Sequence, residues 1–342
     1  MGSGRPTMHD VARSAGVSVT TVSRVVNDAR HVHRETRRRV EATIATLNFQ
    51  RNDIARTLRP GQTTSTIGLL IEDVSNPFYS AIARGVDDVA ERHQHLTVVG
   101  NTRLDSGRER DLIRTMIRRR VDGLIVVPTA ADHSDLHDGV PLVFVDRVPA
   151  GLPADTVLLD NVRGARRAVT HLVDAGHRRI AYVGGDPRVH TGVKRLAGYQ
   201  RALRAGGLGY DRSLVRLDNH TVADADAAVT DLLARPDPPQ AVFADNNRMS
   251  VGALQAIFRT GARIDLAGFD DLELADLLTV PVTLVTYQPA ELGRRAAELL
   301  FQRIAGDRQP PRRIVVRTEL SARGGSRAHR GAAVRTAGVA AR

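Results

Sequence analysis

Cysteine is absent from the 342 residues, which excludes disulfides and thiolate chemistry. Lysine is nearly absent as well: Lys194 stands alone, in GVKRL rather than after a glycine and before Ser or Thr, so no P-loop is present. No G-x-S-x-G nucleophile elbow occurs. No apolar run approaches the roughly 20 residues that span a bilayer. MGSGRPTMHD at the start lacks the apolar core of a signal peptide, so a cytoplasmic location is the expectation. His133 and His137 have a spacing that could hold a metal, yet HSDLH lacks the glutamate of H-E-x-x-H and reads as an exposed loop or short helix. The pair Asp270-Asp271 fits loop capping or ligand binding better than acid/base chemistry. These absences point away from an enzyme and call for neither metal nor cofactor.

What is present is ordinary globular material, 42% hydrophobic, in a chain long enough for about two or three domains. The formal net charge of +11 is unevenly placed. Residues 1–63 hold 11 Arg against 5 acidic residues, and residues 321–342 hold 5 Arg and no acid. The long middle is therefore neutral, and the basic excess belongs to one small module and a tail. Such asymmetry suits a polyanion-binding head.

In that head, MHDVARSAG places Val11, Ala12 and Ala15 at helical spacing, with Gly16 where a helix would end on a left-handed residue. The stretch that follows, GVSVTTVSRVVN, is rich in Val, Thr and Ser, and propensity alone makes it a strand. A helix, a glycine turn and a second helix with small polar residues outward make instead a helix-turn-helix, whose second helix enters the DNA major groove. Short side chains let such a helix sink deep. Val22, Val25 and Val26 can then face inward, leaving Ser18, Val19, Thr20, Thr21, Ser23 and Arg24 for phosphates and base edges. Val40, Ile44 and Leu47 mark a third helix. A Pro-Gly-Thr-Ser linker after NDIARTL marks the domain boundary.

From Thr66 onward, strand-like runs such as TIGLLIE, LTVVGN and VDGLIVV alternate with helical patterns, and a second series follows through RRIAYVGG and QAVFADN. Buried parallel strands with crossover helices, in two similar lobes, are implied. Two such lobes place a ligand at the carboxyl ends of their strands. The tail GGSRAHRGAAVRTAGVAAR has no hydrophobic periodicity and reads as disordered.

TMHDVARSAGVSVTTVSRVVN, continued by VHRETRRRVEATIATLNF and NDIARTL, resembles the DNA-binding head of the lactose/galactose repressor family. The resemblance extends to about Ala322, with SNPFYSAIARGVDD, RRRVDGLIVVP, FVDR, GHRRIAYVGG, RLAGY, MSVGAL, GFDD and PAELG in family order. It implies an all-α helix-turn-helix head (1–50), a hinge helix and linker (51–64), an α/β two-lobed core like that of periplasmic binding proteins (65–322) and a basic tail (323–342). It also implies a homodimer, or a tetramer built of dimers, on pseudo-palindromic operator DNA, gripped or released when a small molecule, most simply a sugar, enters the crevice.

Carried over by position, Val19, Thr20 and Arg24 read operator bases, and Arg24 suits guanine through a bidentate contact. Ser18, Thr21, Ser23, Asn27 and His31 take supporting, mostly phosphate-contacting positions. Ala55 and Leu58 of NDIARTL lie in the minor groove, Leu58 as the wedge at a kinked step. For the effector, Asn76, Phe78, Asp146, Arg195, Asn246 and Asp270 occupy matching positions, with Gln288 or its neighbour Tyr287 completing the set. Singly, Asn76 and Asp270 could equally cap helices. Asn247 stands where many relatives have Asp, and ARIDLA before GFDD is shorter than the family's usual turn and strand. Two other readings stay open: a repressor without effector, and a sugar-binding transport protein, which would need an export signal and no DNA head.

Overall fold

The computed structural model describes residues 6–26, 32–49, 64–136 and 139–324. The chain divides into two compact units, Met1–Thr64 and Ser65–Arg342. Asn27, His31, Ala55 and Leu58, the hinge at 51–63 and the tail from 325 lie outside the described residues.

The first unit holds α1 (Met8–Ala15), α2 (Val19–Val26) and α3 (Arg34–Thr46). Thr7 and Asp10 form a reciprocal capping box at the start of α1, and Gly16 ends it at φ 62°. The Thr21 amide donates to Ser18 Oγ at 3.1 Å at the start of α2. Thus α2 is a helix despite its β-branched composition, because Val22 and Val25 are buried against Val11, Ala12, Ala15 and Val40. Packing of that face outweighs a per-residue propensity deficit of well under about 1 kcal/mol. Val26, Ile44 and Leu47 pack on the same cluster and are partly buried.

The second unit is two α/β lobes. One sheet has strand order β11-β5-β4-β3-β1-β2 and the other β12-β10-β9-β8-β6-β7, so corresponding strands occupy corresponding places. In the first lobe these are β1 (Thr66–Ile71), β2 (Leu96–Asn101), β3 (Gly123–Val126), β4 (Leu142–Val145), β5 (Asp155–Leu159) and β11 (Arg313–Val316), all parallel. The second has β6 (Ile180–Val183), β7 (Val215–Arg216), β8 (Ala241–Ala244), β9 (Asp265–Phe269), β10 (Pro281–Thr286) and β12 (Glu319–Gly324), with only β12 antiparallel. Despite the short ARIDLA segment, β9 forms and pairs in register with β8 and β10. The core runs two residues past Ala322, because β12 pairs with β10 as far as Gly324.

The helices of the core are α4 (Pro77–Arg92), α5 (Ser106–Arg118), α6 (Asn161–Asp174), α7 (His190–Ala205), α8 (Val222–Leu233), α9 (Asn247–Thr260) and α10 (Pro289–Ile304). The last of these leaves the second lobe to pack on α4 and on strands of the first. That crossing is close: a Cβ at Gly85 would lie 2.0 Å from the Ala290 carbonyl oxygen, and one at Gly293 would lie 2.1 Å from that of Ile82. Only glycine admits such an approach. The chain therefore passes between lobes more than once, and the carboxyl ends of both sheets meet at one cleft.

Candidate functional site

In the head, Ser18, Thr20 and Arg24 are exposed and Val19, Thr21 and Ser23 half-buried, so one face of α2 offers short hydroxyls and a guanidinium to solvent. That face can approach a groove, while Val22 and Val25 hold the helix from behind.

In the core, a cavity of about 590 Å³ lies between the lobes. Asn76, Phe78, Asp146, Arg195, Asn246 and Asp270 all line it, although they come from loops and helices far apart in sequence. Gln288 does not line it: Gln288 is exposed at the start of α10. Tyr287 takes the inward place, its hydroxyl donating to Asp270 Oδ1 at 2.5 Å. Tyr287, one residue past β10, does not line the cavity either and reaches the site through Asp270.

Asp146 and Asp270 follow β4 and β9, the corresponding strands of the two sheets, and both have left-handed backbone, φ 70° and 76°. Strained non-glycine residues of this kind persist where surrounding structure dictates them. Their partners differ. Asp270 receives the Asn247 amide at 3.1 Å as well as Tyr287, and Arg195 stands 3.8 Å away. Asp146 is buried, 3.5 Å from the Arg147 guanidinium, with Oδ1 accepting no hydrogen bond. Burial pushes the Asp146 carboxyl up to about 6, against the pull of Arg147 and Arg195.

Arg195 sits over the Phe269 ring, 3.8 Å from its centroid, donating to Asn161 Oδ1 at 2.8 Å and the Asp245 carbonyl at 2.6 Å. Burial opposes its charge, but Asp270 and its other anionic neighbours win and raise its pKa. Asn76 and Asn246 are also N-caps, of α4 and α9, through the Phe78 and Met249 amides. Capping and ligand-facing roles coexist because a cap at a strand's carboxyl end points into the cleft.

Sequence reasoning missed several lining residues. Arg147 donates to Glu72 at 2.5 Å and to the Tyr79 hydroxyl at 2.8 Å, tying down the floor of the first lobe. Asp245, held by Tyr182 at 3.0 Å, is likewise raised to about 6 by burial, with Arg195 opposing. Polar links cross the cleft. Asn247 donates to Asn76 Oδ1 at 2.7 Å, and Arg248 pairs with Asp73. The amide at 247 therefore does what a carboxylate there could not, since it donates to Asn76 and also accepts from it at 3.4 Å.

His133 corrects another expectation. Rather than lying in an exposed loop, it is buried and bonded to the buried Glu109 at 2.7 Å, and Glu109 also accepts the Thr129 amide. A histidine with a buried carboxylate partner pins the 129–133 segment onto α5. His137 lies outside the described residues. Among the described residues, no group of three His, Cys, Asp or Glu is placed to hold a metal ion. Nor is any described helix long and apolar enough to cross a membrane.

A helix-turn-helix unit in one chain with a two-lobed core and an interlobe polar cleft defines the class: a DNA-binding head on a core like that of periplasmic binding proteins. The pattern of the bacterial regulatory proteins, lacI family, matches residues 7–52, and that of the periplasmic binding protein-like domain matches residues 169–326. The HTH-type transcriptional regulator GalS of Salmonella typhimurium is 36% identical over 88% of this chain and 90% of its own. The structure of the lac repressor dimer bound to operator and the anti-inducer ONPF has a TM-score of 0.81 at 28% identity, covering 93% of this chain and 98% of that one. A CelR–cellobiose complex has a TM-score of 0.70 at 33% identity, covering 94% and 100%. The chain belongs to the lacI family and is a DNA-binding transcriptional regulator.

Proposed function

We propose that this regulator is a repressor whose hold on a pseudo-palindromic operator is set by a carbohydrate bound between the lobes. The observation that carries the effector reading is the interlobe cavity itself, at which Asp146, Arg195 and Asp270 hold buried charged side chains. Buried charged groups at a cavity call for hydrogen-bond partners, and sugar hydroxyls supply both donors and acceptors. Asn76, Asn246, Arg195 and Asp270 surround the same space with amide, guanidinium and carboxylate groups, and Phe78 offers an apolar wall. The CelR–cellobiose complex and the operator-bound lac repressor dimer support the same assignment by likeness.

In the head, Val19, Thr20 and Arg24 read bases, while Ser18, Thr21, Ser23, Asn27 and His31 support them, mostly by contacting phosphates, with Ala55 and Leu58 in the minor groove. The chain works as a homodimer. An exposed row of Leu96, Val98 and Val99 on the edge strand β2 is the kind of apolar surface a second copy covers. Its place is the cytoplasm, with the DNA, and it catalyses no reaction. Switching requires that the effector bind one arrangement of the lobes better than another.

Selection of genomic fragments by the full chain, followed by operator titration with and without sugars, tests this reading. Recovered sites should be pseudo-palindromes of roughly 14–20 base pairs, since twofold dimers place recognition helices about one turn apart. Single unpaired half-sites, or an operator affinity that no sugar alters, would refute it.

A further inference from the structure

The cleft is longer than one sugar. Asp146 and Asp270 follow β4 and β9, whereas the other end of the cavity is lined from loops after β2 and β7, the edge strands of the two sheets. Three strand spacings separate β4 from β2, and three separate β9 from β7, roughly 14 Å in each lobe. A six-membered sugar ring measures about 6 Å from its first to its fourth oxygen, given bonds of about 1.5 Å. A ring seated at Asp146 and Asp270 leaves half the groove beside it empty.

That second half is built. It presents Arg103, Leu104, Asp186, Arg188, Asn219 and His220. Its backbone is strained on both sides, with φ 57° at Arg103, 58° at Leu104 and 67° at Asp218, beside Asn219. Two consecutive left-handed residues that are not glycine require enforcement. The enforcing bonds are present: the Arg103 amide donates to the Glu72 carbonyl at 2.9 Å, and the Asp218 amide to that of Gly185 at 2.9 Å. The Asn219 side chain also donates to the Gly184 carbonyl, at 2.9 Å. The edge loops thus repeat the strain seen at Asp146 and Asp270.

The chemistry at this end suits a polyol. Arg188 is engaged side-on by Asp186, Nε to Oδ1 at 2.9 Å and a terminal nitrogen to Oδ2 at 2.7 Å. That contact offsets the charge of Arg188, while the second terminal nitrogen and the remaining carboxylate lone pairs can meet hydroxyls as donor and acceptor. Leu104 and Val189, both half-buried, supply apolar surface for the C–H face of a ring.

We propose that the effector is a glycoside of two or more sugar units, its first ring at Asp146 and Asp270 and its second between the Arg103–Leu104 loop and the Asp186–Arg188 pair. This rests on the carbohydrate reading above and deepens it. Calorimetry on the full chain with cellobiose, maltose and lactose, alongside glucose, galactose and ribose, tests it. At least one disaccharide should bind tenfold or more tightly than either of its component sugars. In Arg188→Ala the disaccharide-to-monosaccharide affinity ratio should fall roughly tenfold. His220→Ala, at an exposed position, should lower it several-fold and decides the matter if Arg188→Ala melts early. A monosaccharide that matches every disaccharide, a ratio unmoved in both variants, or glucose 6-phosphate outbinding all the disaccharides would overturn the proposal while leaving a carbohydrate effector in place. If no sugar of either length binds, the carbohydrate reading falls and this inference with it.

Discussion

The two units of the chain treat polar side chains in opposite ways. Among its described residues the head keeps Ser18, Thr20 and Arg24 in solvent and buries only apolar groups, chiefly Val11, Ala12, Val22 and Val40. The core buries Asp146, Arg147, Arg195, Asp245 and Asp270 and satisfies most of their hydrogen-bonding capacity internally. A surface that reads DNA meets its partners in phosphates and base edges, so exposure before binding costs little. A cleft that closes around a small neutral molecule must have its dipoles oriented beforehand, because the ligand brings too few contacts to organise them. Substitutions in the head should therefore change recognition, and substitutions in the core should change recognition and fold together.

The largest expected effect tests that coupling at its centre. Arg195→Ala leaves Asp270 and Asn161 short of a partner inside the core, and losses of about 3–5 kcal/mol accompany a broken buried pair. Chemical denaturation of the variant should show it; a wild-type midpoint would mean that the arginine is dispensable to the fold. Asp146→Ala sharpens the contrast from the other side, since Oδ1 has no protein partner to lose. Effector affinity should drop roughly 10–150-fold, the equivalent of about 1.5–3 kcal/mol for a hydrogen bond to a charged group. Calorimetry that finds undiminished binding would remove Asp146 from the site.

In the head, Arg24→Ala should cost about 1–3 kcal/mol of discrimination at one base pair without altering the thermal midpoint, because the side chain is exposed. Binding-site selection with the variant reads this out, and an unchanged preference at every position would contradict it.

The cleft should also respond to acid. Burial raises the Asp146 and Asp245 carboxyls to about 6, so around that pH the free cleft holds protons that a hydroxyl-donating ligand must expel. Effector binding should then release protons, and affinity should fall by about tenfold per pH unit below pH 6 for each carboxylate that must be ionised. The sign for folding is opposite. Each raised carboxyl binds more protons in the native chain between its ordinary range near 4 and about 6, so its contribution to stability declines as pH rises through that window. Calorimetry in buffers of different ionisation enthalpy distinguishes proton release from none.

The smallest effect expected is at the cross-cleft links. Arg248→Ala removes the pair with Asp73, a partly exposed contact worth about 1 kcal/mol or less. Small-angle scattering should show a modest opening of the lobes, and no change would assign closure to Asn76 and Asn247 instead.

Much of this arrangement is legible in the linear chain. Periodicity marks α1, α3 and the alternation of strands and helices after Thr66, since those signals depend only on which side of a local element is apolar. Motif order places Asn76, Phe78, Asp146, Arg195, Asn246 and Asp270 in one crevice, where the structure brings them together. The edge strands were harder. Arg313–Val316, four residues of ordinary composition, become β11 only by pairing with β5, more than 150 residues earlier. His133 shows the limit plainly: its neighbours in sequence are polar, and its partner Glu109 is 24 residues away.

The sequence by itself determined what local chemistry can specify. It set a basic head separate from a neutral core, the end of the first helix at Gly16, and the strand-end loops that carry many of the cleft's polar groups. The tertiary structure alone decided that Tyr287 and not Gln288 turns inward, and that Asn76 meets Asn247 across 171 positions of sequence. The reason is range. Propensity and periodicity act over a few residues, whereas burial and hydrogen-bond satisfaction are settled only when distant segments exclude water from the same space.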